Sequence, residues 1–147
     1  MSRELELEFP EVCDFLKQVK KAEQRVEHLE QRIENLRLLT TDTSVHLSDI
    51  PHSPSPDQQK LLTLLANIDE LERELKQAKQ EALERRLLVG NIICQISDPI
   101  SQKILILHYL NHRSYSAISK TIGCGLTYIY RLRDVGYAEL EELLHTA

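Results

Sequence analysis

Apolar residues recur every seven positions through the first two-thirds of this chain. Val12, Val19, Val26 and Ile33 share one position of the repeat, and Phe15, Ala22, Leu29 and Leu36 share the position three residues later. On a helix this spacing draws both sets into one narrow stripe, which is stable only when a second helix covers it. Pro10 and Glu11 suit the first turn of such a helix, and the pattern ends near Leu39. A second stripe follows. Leu61, Ile68, Leu75, Ala82, Val89 and Ile96 form one row, and Leu64, Leu71, Ala78, Arg85 and Ile92 the other. Asp57 is a good N-cap for this helix, which is expected to end near Ile96. Arg85 interrupts the apolar row. It either extends along its stem to water or pairs with a carboxylate on the facing helix.

Between the stripes, from about Thr40 to Pro56, runs "TTDTSVHLSDIPHSPSP". Pro51, Pro54 and Pro56 remove backbone donors and exclude helix, so an irregular connection is expected there. The two helices then fold onto each other as an antiparallel hairpin within one chain. Pairing with a second chain is the competing arrangement, because β-branched residues at one seam position with leucine at the other favour parallel dimers. A homo-oligomer, most simply a dimer, is expected in addition.

Composition supports helices throughout. The chain has 147 residues with only four glycines, two phenylalanines and no tryptophan, and no run alternates in the manner of a strand. Its apolar runs are too short to span a bilayer, and "MSRELELEFPEV" lacks the apolar core of a signal peptide. A cytoplasmic protein is expected, without membrane partners. Cys13, Cys94 and Cys124 are odd in number and widely spaced, so neither a disulfide framework nor a zinc site is expected.

The net charge of −5 is unevenly spread. Residues 1–56 hold 7 basic and 11 acidic side chains, and residues 57–98 hold 6 and 8. From Pro99 to Arg133 there are five basic residues and no acid. A local positive field of this kind steers a polyanion even when the whole protein is acidic.

That window also carries the features of a helix-turn-helix. Asp98 and Pro99 open a helix, and Ile100, Ile104 and Leu107 mark its inner face. Ser114 can cap the next helix. Ile118 and Ile122 point inward, Ser119 is small enough for close helix passage, and Gly123 supplies the bend. Gly125 caps a third helix, which Ile129 and Leu132 hold to the core. At 100° per residue, the opposite face presents Thr127, Tyr130, Arg131 and Asp134, with Leu126 at the tip. Leu126, Thr127, Tyr130 and Arg131 are therefore the expected base-reading residues: Arg131 can fork onto a guanine and Leu126 can meet a thymine methyl. Lys103, Arg113, Ser114, Lys120, Tyr128 and Arg133 are the expected contacts to the DNA backbone. His108 and His112 are spaced as a metal pair, but no third ligand accompanies them, and no metal is expected. No phosphate-cradling glycine loop, nucleophile–base set or metal cluster is present, so neither an enzyme nor a cofactor is expected.

The segment "SDPISQKILILHYLNHRSYSAISKTIGCGLTYIYRLRD" resembles the C-terminal part of phage transcriptional regulators of the ArpU type, which are similar to region four of sigma factors. The resemblance rests on Asp98–Pro99, on Leu105, Leu107 and Tyr109, on Ser114–Tyr115, Ile118 and Ile122–Gly123, and above all on Ile129–Tyr130–Arg131–Leu132. Ser48–Asp49–Ile50–Pro51 also looks like a motif between the two front helices of that family. The chain departs from the pattern at His112, where glycine is usual, at Gly125, where Ser or Thr usually caps, and at Ser119, where Ala is common. Leu126 replaces a residue that is usually polar. The resemblance implies an all-α protein with a helical hairpin over residues 1–96 and a sigma-like helix-turn-helix over 97–147. It implies a DNA-binding activator of phage late genes, acting in the host cytoplasm on double-stranded DNA, with RNA polymerase as a second partner. In sigma region four the promoter-reading positions correspond to Leu126, Thr127, Tyr130 and Arg131. Two other readings stay open: a coiled-coil adaptor of the anti-repressor type, and a small DNA-packaging subunit.

Overall fold

The computed structural model describes residues 8–47 and 56–146, with side chains for 8–41 and 56–146. The described residues contain five α-helices and no strand: α1 (Pro10–Leu47), α2 (Pro56–Ile93), α3 (Pro99–Leu105), α4 (Tyr115–Ile122) and α5 (Leu126–Thr146). A single π-helical turn, Ile106–Leu110, continues α3. The protein is all-α, and α1 packs against α2 as a hairpin within the chain.

Helix α1 runs further than its apolar stripe. The irregular connection expected from Thr40 begins no earlier than residue 48, because residues 40–47 are helical. The Thr40 and Thr41 hydroxyls both donate to the Arg37 carbonyl, at 2.6 and 3.1 Å, one turn back. In that geometry threonine satisfies its hydroxyl without leaving the helix. The Ser48–Pro51 motif and the prolines at 51 and 54 lie outside the described residues. Pro56 itself sits in the first turn of α2, where its missing N–H costs nothing.

The described residues fall into two compact units. One is Glu23–Glu81; the other joins residues 8–22 to residues 82–146. In the first, Leu29, Ile33, Ile68, Leu71 and Ala78 form a buried seam, edged by Val26, Leu36 and Leu75. Each fully buried Leu or Ile contributes about 1.5–3 kcal/mol of transfer free energy. Ion pairs Arg25–Glu81 (3.6 Å), Glu30–Lys79 (3.4 Å) and Arg37–Glu72 run along the seam in antiparallel order.

The second unit has a wider core. Val12, Cys13, Leu16 and Val19 of α1 meet Val89 and Ile93 of α2, Ile96, Leu105 of α3, and Tyr137 and Leu140 of α5. A separate cluster joins Ile104, Ile118 and Ile129, edged by Leu107, Tyr115, Ile122 and Leu132. The adjacent residues Ile104 and Leu105 point into different clusters, so α3 is buried on two sides. Helix α5 does the same, giving Ile129 to one cluster and Tyr137 and Leu140 to the other. This shared packing is why residues 97–146 do not form a unit separate from the ends of the hairpin helices. Glu139 reinforces it by accepting hydrogen bonds from the Ser97 amide (2.8 Å) and hydroxyl (3.1 Å). Where α3 and α5 cross, a Cβ on Gly136 would lie 3.0 Å from the Leu105 side chain. The Arg85 guanidinium donates to the Gln18 amide oxygen of α1 at 3.1 Å.

Candidate nucleic-acid interface

The helix-turn-helix is assembled by short-range chemistry. The Asp98 carboxylate accepts from the Ser101 amide at 2.9 Å and caps α3, followed by Pro99 at the first position. The Ser101 hydroxyl, fully buried, lies 2.8 Å from both that carboxylate and the Leu132 carbonyl of α5. Those Ser101 hydrogen bonds, the backbone one foremost, hold the Asp98 carboxyl below the usual carboxylate range.

Ser114 caps α4, accepting from the Ala117 amide at 3.2 Å. The helix ends at Gly123, whose φ of 81° lies in the left-handed region. No neighbouring atom would meet a Cβ there, so the backbone angle alone calls for glycine. The Gly123 and Cys124 amides both donate to the Ser119 carbonyl, at 2.9 and 3.2 Å, and the Ser119 hydroxyl donates to the Cys124 carbonyl. Ser119 therefore stitches the turn with backbone and side chain, and an alanine would keep the two carbonyl bonds and lose the hydroxyl one. The Ile129 amide donates to the Gly125 carbonyl at 3.1 Å, which puts Gly125 at the cap of α5. Before α4 the chain turns at His112, with φ of 56°, at the position where the resembled family carries glycine. Histidine tolerates this conformation better than β-branched residues do.

Helix α5 leaves the start of its outer face open. Leu126 (40 % exposed), Thr127, Tyr128 (42 %) and Arg131 all lie on the surface. Lys103, Arg113, Ser114 and Lys120 are exposed as well. Two expected DNA contacts stand differently. Arg133, read as a phosphate contact, is only 5 % exposed. Its guanidinium lies over the rings of Tyr130, Tyr115 and Tyr137, at 4.7, 5.0 and 5.6 Å from their centroids, and donates to Asp134 at 3.2 Å. Burial opposes its charge, but the Tyr115 hydroxyl, Tyr137 and Asp134 outweigh it and raise its pKa. Tyr130, read as a base contact, is half-buried, edge-on to Tyr115 with centroids 5.4 Å apart. The rows of the helical wheel separate Arg131 from Arg133 by 200°, and the tyrosines claim the second.

Sequence reasoning missed this aromatic cluster. Its signal was present: all five tyrosines fall between residues 109 and 137. The Tyr109 and Tyr137 hydroxyls are hydrogen-bonded to each other, and burial pushes both phenols well above their ordinary pKa. His108 stacks on Tyr115 at 4.0 Å. Its Nδ1 lies 2.8 Å from the Arg113 carbonyl. A carbonyl only accepts, so Nδ1 carries the proton and Nε2 is the open position. Burial first, then the charges of Arg133, Lys20 and His112, lower the His108 pKa. No group of three or more metal-ligating side chains occurs among the described residues, and the three cysteines are free thiols. No described helix is long and apolar enough to cross a membrane.

No curated protein and no solved structure matches this chain. A family described as "Protein of unknown function (DUF1492)" matches residues 58–141, from the first turn of α2 to the last third of α5. That match covers more than half of the chain and includes α3, α4 and the first two-thirds of α5, and the protein belongs to this DUF1492 family.

Proposed function

We propose that the protein is a sequence-specific DNA-binding transcription regulator, an activator of phage late genes, whose helix α5 enters the major groove. The observation that carries this reading is the open flank of α5. Leu126, Thr127 and Arg131 lie exposed beside a glycine turn, within an acid-free stretch of the chain. Leu126 and Arg131 offer a methyl contact and a guanine fork, while Lys103, Arg113, Ser114, Lys120 and Tyr128 are exposed to take phosphates. Arg133 is left out of this set, and Tyr130 contributes at most its outer edge.

Few cations make few phosphate contacts, so affinity for a lone site is modest and falls steeply with salt. A second subunit or RNA polymerase adds binding through effective concentration. Self-association is supported by the exposed leucines of α2: Leu83, Leu87 and Leu88 in one unit, and Leu62 and Leu65 in the other. Duplexes selected from a random pool, followed by titration of wild type and Arg131→Ala, test the proposal. The variant is expected to bind the selected site about tenfold more weakly, the worth of one forked base contact. Equal binding, or no duplex retained at low salt, removes the reading role and leaves the adaptor.

A further inference from the structure

The unit made of residues 8–22 and 82–146 contains a cavity of about 430 Å³ that shares Arg113 and Ser114 with the proposed phosphate contacts but none of the base-reading residues of α5. Lys17 and Lys20 of α1 face it from one side. His112, Arg113 and the α4 cap Ser114 close another, and Arg133 lies at its tyrosine-lined wall. Four permanent cations thus line one recess; no carboxylate is among the lining residues, and Asp134, just outside them, pairs with Arg133 at 3.2 Å. The crowding of positive charge is felt inside: Arg133, Lys20 and His112 all disfavour protonation of the half-buried His108. Like charges held this close are stabilised when an anion sits among them.

The chemistry of the wall narrows the anion. Guanidinium and ammonium groups beside hydroxyl donors suit a phosphate group, which takes several charge-assisted hydrogen bonds at once. The volume is larger than a bare ion requires and falls in the range of clefts that hold small organic ligands. Tyrosine and histidine rings supply apolar wall for the organic part. We infer that this cavity binds a small organic phosphate of nucleotide size, its phosphate held by Lys20 and Arg113, with the buried Arg133 adding positive field from behind the tyrosine wall. Because the site lies between α1 and the start of α4, the ligand braces the helix-turn-helix against the hairpin helix of the same unit. This inference does not depend on what α5 reads.

The test is calorimetric titration of the full chain with adenosine and guanosine monophosphate, with inorganic phosphate and with a short duplex, each separately. Saturable nucleotide binding is expected. Lys20→Glu is expected to weaken it about tenfold, the worth of one charge-assisted contact, while Lys20→Arg retains it. Lys20 is exposed, so neither substitution is expected to move the unfolding temperature, which is measured alongside. The absence of saturable binding by either nucleotide overturns the inference. So does binding that Lys20→Glu leaves unchanged, or inorganic phosphate binding as tightly as the nucleotides. If only the duplex binds and Lys20→Glu weakens it, the recess seats a backbone phosphate, and the free-ligand site is wrong while the DNA reading survives.

Discussion

The stretch Glu23–Glu81 and the helix-turn-helix are both helical, yet they are held together by different physics. The first buries one stripe of Leu, Ile and Ala, and keeps its charges at the rim. Ion pairs such as Glu30–Lys79, both partners about half exposed, add little beyond specifying which residues face each other. In the second, polar groups go inside: Ser101 is fully buried, Arg133 nearly so, and His108 half so, each with hydrogen-bonding or ring partners. A repeated apolar stripe tolerates local change because its neighbours already border water. A small core built around a few buried polar groups does not, because each loss strands a partner.

The sharpest way to break this contrast is core truncation. Ile104→Ala empties a fully buried position and is expected to cost about 2–5 kcal/mol, whereas Ile33→Ala in the stripe is expected at the low end of that range. Denaturant unfolding followed by circular dichroism measures both, and equal losses would erase the distinction. A smaller effect separates two arginines on one helix. Arg133→Gln removes a cation from three ring faces and is expected to cost about 2 kcal/mol, while Arg131→Gln stays within about 0.5 kcal/mol. Under the proposed DNA reading the ranking is expected to reverse in duplex binding, with Arg131 the sensitive position. If Arg133→Gln leaves the unfolding temperature unchanged, the tyrosine cluster is packing around an optional charge.

The smallest expected effect is in pH. The His108 pKa is lowered from its ordinary 6.5 by burial and neighbouring cations, so the unfolded chain takes up a proton before the folded one. The stability contributed by neutral His108 is therefore full above about pH 6.5 and declines as the pH falls below it. It levels off once the folded imidazole also protonates. Unfolding temperatures from pH 7.5 to 5 are expected to show this decline in wild type and a shallower one in His108→Gln. Parallel profiles would assign the decline to other groups.

Legibility in the sequence followed the range of the interaction. Asp98, Pro99, Ser114, Gly123 and Gly125 act on backbone within four residues, and their roles as caps and bend can be read from residue type and spacing alone. The two stripes were equally readable, since a helix converts a seven-residue spacing into a face. Leu16 and Ile93 were not, although both are fully buried. They lie beside the stripe and become core only because α3 and α5 cover that side of α1 and α2. Thr40 and Thr41 were misread because composition alone does not say whether a hydroxyl bonds back to its own helix. The burial of Arg133 could not be read from its charge, because the three tyrosines that cover it are brought together only by the packing of α4 and α5.

The chain's own order of residues determines that it is all-α, that α1 and α2 seek each other, and that a bent helix pair follows Asp98–Pro99. Each of these is a consequence of periodicity or of contacts made within a turn. Which face of α5 stays in solvent, which arginine is withdrawn from it, and that Lys20 and Arg113 line one cavity were decided only when distant segments packed. Burial is a property of what covers a residue, and for a mixed polar and aromatic surface the cover comes from elsewhere in the chain.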